Sequence, residues 1–131
     1  MNLSGKAVKY WLDKEKIALE NMLVIIDELA LPLEKLRLKP SGSDGGHNGL
    51  KSVQEILATT AYPRLRFGIG NDYPKGMQSD YVLGKWNKVE EPLVKLKIGK
   101  AVETIETFAV QGITTAMNQV NNQVFSYDKS D

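Results

Sequence analysis

The sequence predicts an α/β fold: a single domain over residues 1–120 with a mixed, mainly parallel sheet flanked by helices, then a polar C-terminal tail over residues 121–131. Three observations lead there. Met22-Leu23-Val24-Ile25-Ile26 is an unbroken apolar run, the pattern of a strand covered on both faces. Residues 35–39 and 64–70 alternate apolar with polar, as half-buried strands do. Helical periodicity fills the intervals and the C-terminal third, and strands alternating with helices imply a parallel or mixed sheet.

Composition narrows the function classes. A length of 131 residues suits one domain with a real core, and 42% hydrophobic with 25% charged residues is ordinary for a globular protein. A net charge of +1 does not announce nucleic acid, so RNA binding would need lysines and arginines gathered on one face. The chain has no cysteine, hence no disulfide framework and no thiolate chemistry, and a reducing, cytoplasmic setting is natural. One histidine and no cysteine argue against a structural zinc site. No signal peptide and no apolar run long enough to cross a bilayer is apparent, so no membrane partner is expected.

In chain order, Asn2-Leu3-Ser4-Gly5 reads as a turn delivering Ser4 to a helix N-cap, with Ala7, Val8, Trp11 and Leu12 as the apolar stripe. Domains seldom begin this abruptly on a cap, so the start reads as cut. The apolar run at 22–26 ends in Asp27-Glu28. A carboxylate at the carboxyl end of a buried strand sits where open α/β sheets place ligand crevices, although an acidic residue often just closes a turn. In residues 35–39, Leu36 and Leu38 face inward while Lys35, Arg37 and Lys39 face out. Lysine protection of a solvated edge is the commoner explanation of that pattern.

Residues 40–51, Pro-Ser-Gly-Ser-Asp-Gly-Gly-His-Asn-Gly-Leu-Lys, concentrate special-purpose residues and hold the chain's only histidine. Gly45 and Gly46 permit positive φ and close approach of another molecule, and His47 and Asn48 offer an imidazole and an amide. A helix from about Asn48 to Ala58 follows, so these groups would stand at its N-terminus, where anions are favoured. The bland alternative is a glycine turn with asparagine as cap. Next, Leu65, Phe67 and Ile69 should point inward, with Arg64 and Arg66 on the other face. Gly68-Ile69-Gly70 lacks the third glycine of a dinucleotide fingerprint. Residues 71–80 read as a loop and 81–86 as a flap or lid. A long helix starting near Asn87, with Glu90 completing a capping box, or at Pro92, carries Val94, Ile98, Ala101, Val102, Ile105, Phe108 and Ala109 on one face and ends at Gly112. A short helix with Ala116, Met117 and Val120 precedes the tail, which should fray.

These pieces, in this order, resemble the bacterial peptidyl-tRNA hydrolase family. The matching words are Met1-Asn2-Leu3-Ser4-Gly5, Ile26-Asp27-Glu28-Leu29, Gly45-Gly46-His47-Asn48-Gly49-Leu50-Lys51, Arg64-Leu65-Arg66-Phe67-Gly68-Ile69-Gly70 and Val82-Leu83-Gly84-Lys85, with coverage from Met1 to about Asn118. The resemblance implies hydrolysis of the ester between a peptide and the 3′-terminal ribose of tRNA, with peptidyl-tRNA as partner and no metal or organic cofactor. It implies that Asn2 helps hold the peptide–tRNA end and order the attacking water, that Asp27 stabilises the working form of the catalytic histidine, and that Asn48 stands at the reaction centre. Gly45, Gly46 and His47 match the loop along which peptide backbone lies, and Lys39, Lys51 and Arg66 match basic residues used on tRNA phosphates.

The sequence departs from the family in one respect. The family's general-base histidine follows a first strand ending in an Asn-Pro-Gly turn, and this chain has neither; His47 belongs to the glycine loop and is not its equivalent. Losing a general base typically forfeits ~10²–10⁴ in rate, so a poor or dead catalyst lacking an N-terminal segment is expected. Asp27 would be a weak substitute. The strand at 22–26 would also lack neighbours, and an unpaired apolar edge invites self-association. A non-catalytic RNA- or tRNA-binding relative is the alternative reading, and a degraded, inactive relative a third.

Overall fold

The computed structural model describes residues 3–73 and 75–126. Their order is α1 (Ser4–Glu15), a 3₁₀ turn (Leu19–Asn21), β1 (Val24–Glu28), β2 (Leu36–Lys39), α2 (Asn48–Leu57), β3 (Arg64–Gly68), α3 (Gln78–Leu83), α4 (Glu91–Gln111) and α5 (Ile113–Val120). By its internal packing the chain gathers into two compact units that interleave along the sequence, one from residues up to 24 with 39–64, the other from 25–38 with the residues beyond 64.

The first unit is built on α1 and α2. Leu12, Leu50, Val53 and Tyr62 are its buried apolar residues. Gly5 is buried on α1 because the helices meet there: its N–H donates to Ser52 Oγ at 2.9 Å, and a Cβ would stand 2.2 Å from the Ser52 carbonyl oxygen. That contact selects the inward face. Only Leu12 of the expected stripe is buried, while Trp11 is 54% exposed. The expected Ser4 cap is not formed either; Leu3 holds the N-cap position without a side-chain bond, and Ser4 is the first helical residue.

The second unit holds most of a three-stranded sheet in the order β1-β3-β2. Val24 N–H bonds to Pro63 C=O and Ile69 N–H to Glu28 C=O, so β1 runs parallel to β3. Gly68 N–H reaches Lys35 C=O, so β2 returns antiparallel to β3. The sheet is therefore mixed, as expected. Along β2 the alternation holds: Leu36 and Leu38 are fully buried while Arg37 and Lys39 are exposed. On β1 the unbroken apolar run is not covered on both faces, for Ile26 is buried and Ile25 is 50% exposed.

On β3 the expected solvated arginine face is absent. Arg64 is fully buried and Arg66 is 8% exposed; Arg64 is held by backbone carbonyls and Arg66 by a carboxylate, as described below. α4 follows an Asn87–Glu90 capping box, in which Glu90 N–H donates to Asn87 Oδ1 at 2.8 Å and Asn87 N–H to Glu90 Oε1 at 3.3 Å. Its buried face is Leu93, Val94, Lys97, Ala101 and Thr104, so Ile98 and Val102 of the expected stripe are about half exposed. The expected fraying from Asn121 fails for residues 121–126. Lys35 Nζ donates to the carbonyls of Asn121 and Gln123, Phe125 N–H donates to Glu34 C=O, and Phe125 is buried. Residues 127–131 lie outside the described residues.

Candidate functional site

In the first unit, the glycine-rich stretch is shaped by its own short-range bonds. Asp44 closes it: Gly46 N–H donates to Asp44 Oδ1 at 2.8 Å and His47 N–H to Asp44 C=O at 2.9 Å. Gly45 and Gly46 take φ of 58° and 85°, conformations that cost a side chain dearly. His47 is then the N-cap of α2, its Nδ1 accepting the Leu50 N–H at 3.2 Å. Histidine, not asparagine, is thus the cap, and Asn48 becomes the first helical residue with its side chain exposed. One turn on, Lys51 is exposed as well, and both line a groove of about 410 Å³ together with Lys6 and Ser52. Lys39, at the end of β2, is exposed in the same unit.

Arg64 is the residue that sequence reasoning missed here. Its guanidinium donates to the carbonyls of Thr60 at 2.7 Å and Ser43 at 3.3 Å, and it lies over the Tyr62 ring at 4.3 Å. It ties the glycine loop to the segment before β3. An alternating Arg-Leu-Arg pattern carries no signal that one arginine faces carbonyls instead of solvent.

In the second unit, a groove of about 420 Å³ has Ile26, Phe67 and Ile69 among its apolar lining and Asp27, Asp80, Lys85 and Glu90 as its charged groups. Asp27 is half-buried. The segment expected to be a flap is instead α3 and the turn after it, and Tyr81, Val82 and Trp86 line this groove. Tyr81 donates its hydroxyl to Ile69 C=O and packs on Tyr73 at 5.0 Å between ring centres. Burial, then the Glu90 carboxylate, raises the Tyr81 pKa, which keeps that donor protonated.

Lys97 of α4, over the ring of the groove-lining Phe67, is fully buried. Its Nζ donates to Leu33 C=O at 2.5 Å and Gly68 C=O at 2.7 Å, and stands 4.0 Å from the centre of the Phe67 ring. Burial lowers its pKa to about 8, with Glu34 opposing. Arg66 Nη1 pairs with Glu28 Oε1, and the two side chains are only 10% and 12% exposed. Arg66 is therefore engaged inside its unit and offers no solvated cation of the kind expected for phosphate. Asn2 lies outside the described residues. Among the described residues no group of three or more histidines, aspartates or glutamates is placed to hold a metal ion, and no helix is long and apolar enough to cross a membrane.

Comparison with known proteins identifies the family. The family model for peptidyl-tRNA hydrolase matches residues 1–128. The peptidyl-tRNA hydrolase of Parabacteroides distasonis is 55% identical over 123 residues, 94% of this chain and 66% of the relative. That of Bacteroides fragilis is 52% identical with the same two coverages. The crystal structure of peptidyl-tRNA hydrolase from Acinetobacter baumannii matches with a TM-score of 0.85 at 35% identity, over 95% of this chain and 63% of that one. The α/β fold with its mixed sheet is thus shared with solved hydrolases. The chain belongs to the peptidyl-tRNA hydrolase family. It spans 66% of the length of the Parabacteroides distasonis relative and 63% of the solved Acinetobacter baumannii chain.

Proposed function

We propose that this chain is a peptidyl-tRNA hydrolase: water adds to the ester carbonyl, the bond to the 3′-terminal ribose oxygen breaks, and that oxygen takes up a proton, freeing tRNA in the cytoplasm. The observation that carries the reading is the glycine loop of a family member, which ends in a capped helix and presents Asn48 and Lys51 in its first turns. The Asn48 amide can both donate and accept, which suits holding an ester and a water together. Gly45, Gly46 and His47 are assigned to the peptide backbone, Asn2 to the peptide–tRNA end, and Asp27 to support of the catalytic base. Lys39 and Lys51 are assigned to tRNA phosphates, contacts that position without reading sequence. The burial of Arg66 against Glu28 favours a structural role for it instead.

The base itself has no counterpart assigned in this chain. His47 is its one histidine and already uses Nδ1 as the cap acceptor. Release of peptide by this chain alone is therefore expected to be ~10²–10⁴ slower than by a relative with its base in place. Self-association through β1 belongs to the same reading, supported by the half-exposed Ile25. The test is peptide release from purified peptidyl-tRNA, run beside the Bacteroides fragilis enzyme, with Asp27→Asn and Asn48→Ala variants. Slow release abolished in both variants is expected. Release equal to that of the relative would overturn the assignment of a missing base, and salt-sensitive tRNA binding without any release would favour a binding-only relative.

A further inference from the structure

We infer that Lys6 of α1 is a second RNA-phosphate contact, acting with Lys51 across the groove between α1 and α2. The inference rests on the peptidyl-tRNA reading and names a residue outside that reading's assignments. Two helices supply the two cations. Both lysines are exposed and line the same groove of about 410 Å³, beside Asn48 and Ser52, with Glu55 its one acidic group among the described residues.

Their placement follows from the closest contact between the helices. Gly5 N–H donates to Ser52 Oγ at 2.9 Å, and the missing Cβ lets the backbones approach to a distance at which any side chain would strike the Ser52 carbonyl. Lys6 follows Gly5 and Lys51 precedes Ser52 in the chain, so one tight contact sets both cations at the groove. Among the described residues neither lysine is closed off by an ion pair in the way Arg66 is by Glu28. An ammonium on a flexible stem suits phosphate as a point charge. A concave strip with two cations and one carboxylate fits a polyanion backbone better than a single anionic small molecule, because successive phosphates can engage both ends of it. In the reading above, that backbone is the tRNA acceptor strand next to the ester.

The experiment measures deacylated tRNA affinity against salt concentration for the wild type and for Lys6→Ala, Lys6→Arg, Lys51→Ala, the double alanine variant and Lys88→Ala, an exposed lysine outside the groove. Each phosphate contact contributes about 0.9 to the slope of log affinity on log salt, roughly an eightfold effect at about 0.1 M. Lys6→Ala should lose about 0.9 in slope and roughly eightfold in affinity with its urea unfolding midpoint unchanged, the double variant about 1.8 in slope and roughly sixtyfold in affinity, and Lys6→Arg and Lys88→Ala almost nothing. A Lys6→Ala slope equal to wild type, while Lys51→Ala falls, would overturn the inference and leave the tRNA reading standing. Absence of salt-sensitive binding by the wild type would overturn both.

Discussion

Lys97 and Arg66 are cations inside the second unit, and their surroundings make opposite demands. Burial holds Lys97 at about 8 in the folded chain against 10.5 unperturbed. Between those values the unfolded chain binds more protons, so stability rises as pH climbs from about 8 to about 10.5, by about 3 kcal/mol for this group. Urea unfolding at pH 7.5 and 10 should show that rise, and Lys97→Met should lack it. An identical pH dependence in the variant would contradict the buried-lysine account. Arg66 is held by Glu28, and removing one partner of a buried pair costs about 3–5 kcal/mol. Arg66→Ala should therefore lower the unfolding midpoint sharply, whereas exposed Lys39→Ala should stay within about 0.5 kcal/mol. Similar small effects for both would return Arg66 to the surface role that the alternating pattern suggested.

At the scale of elements, periodicity predicted what was there, and neighbours decided which face turned inward. The expected stripes of α1 and α4 were partly wrong for one reason: a close contact outweighed apolar content. Gly5 turns α1 onto Ser52, and Lys97 turns α4 onto the carbonyls of Leu33 and Gly68, leaving Trp11, Ile98 and Val102 exposed. Neither a glycine nor a lysine registers as a core residue in a hydrophobicity pattern. Gly5→Ala should cost about 1–3 kcal/mol through overpacking, measured by denaturant unfolding. The free side of β2 was equally unreadable. Asn121 completes it by accepting from Leu38 N–H at 2.7 Å and donating to Leu38 C=O at 2.9 Å. Asn121→Ala leaves two backbone groups unpaired and should cost about 1–3 kcal/mol in the same assay.

At the scale of the molecule, the sequence identified the fold class, the order of strands along the chain and the glycine loop before α2, because turn chemistry and alternation are local. It missed the buried roles of Arg64 and Arg66, because neither the carbonyls of Thr60 and Ser43 that hold the one nor the Glu28 carboxylate that holds the other leaves a mark on an alternating pattern. The two outer strands also differ in a way no local pattern could reveal. Residues 121–125 satisfy groups on and just before β2, while β1 carries the exposed Ile25. If β1 drives association, Ile25→Lys should shift the chain toward monomer in sedimentation velocity; a wild type already monomeric at high concentration would contradict that.

Recognition of the junction of peptide and tRNA is the role proposed for the head of α2. Its most direct test is the affinity for a peptidyl-tRNA whose ester is replaced by a non-hydrolysable amide, compared with deacylated tRNA, for the wild type and Asn48→Ala. Tighter binding of the peptidyl form by the wild type, with the preference lost in Asn48→Ala, is the predicted result. Equal affinity for both tRNAs in the wild type, or a preference untouched by Asn48→Ala, would contradict it.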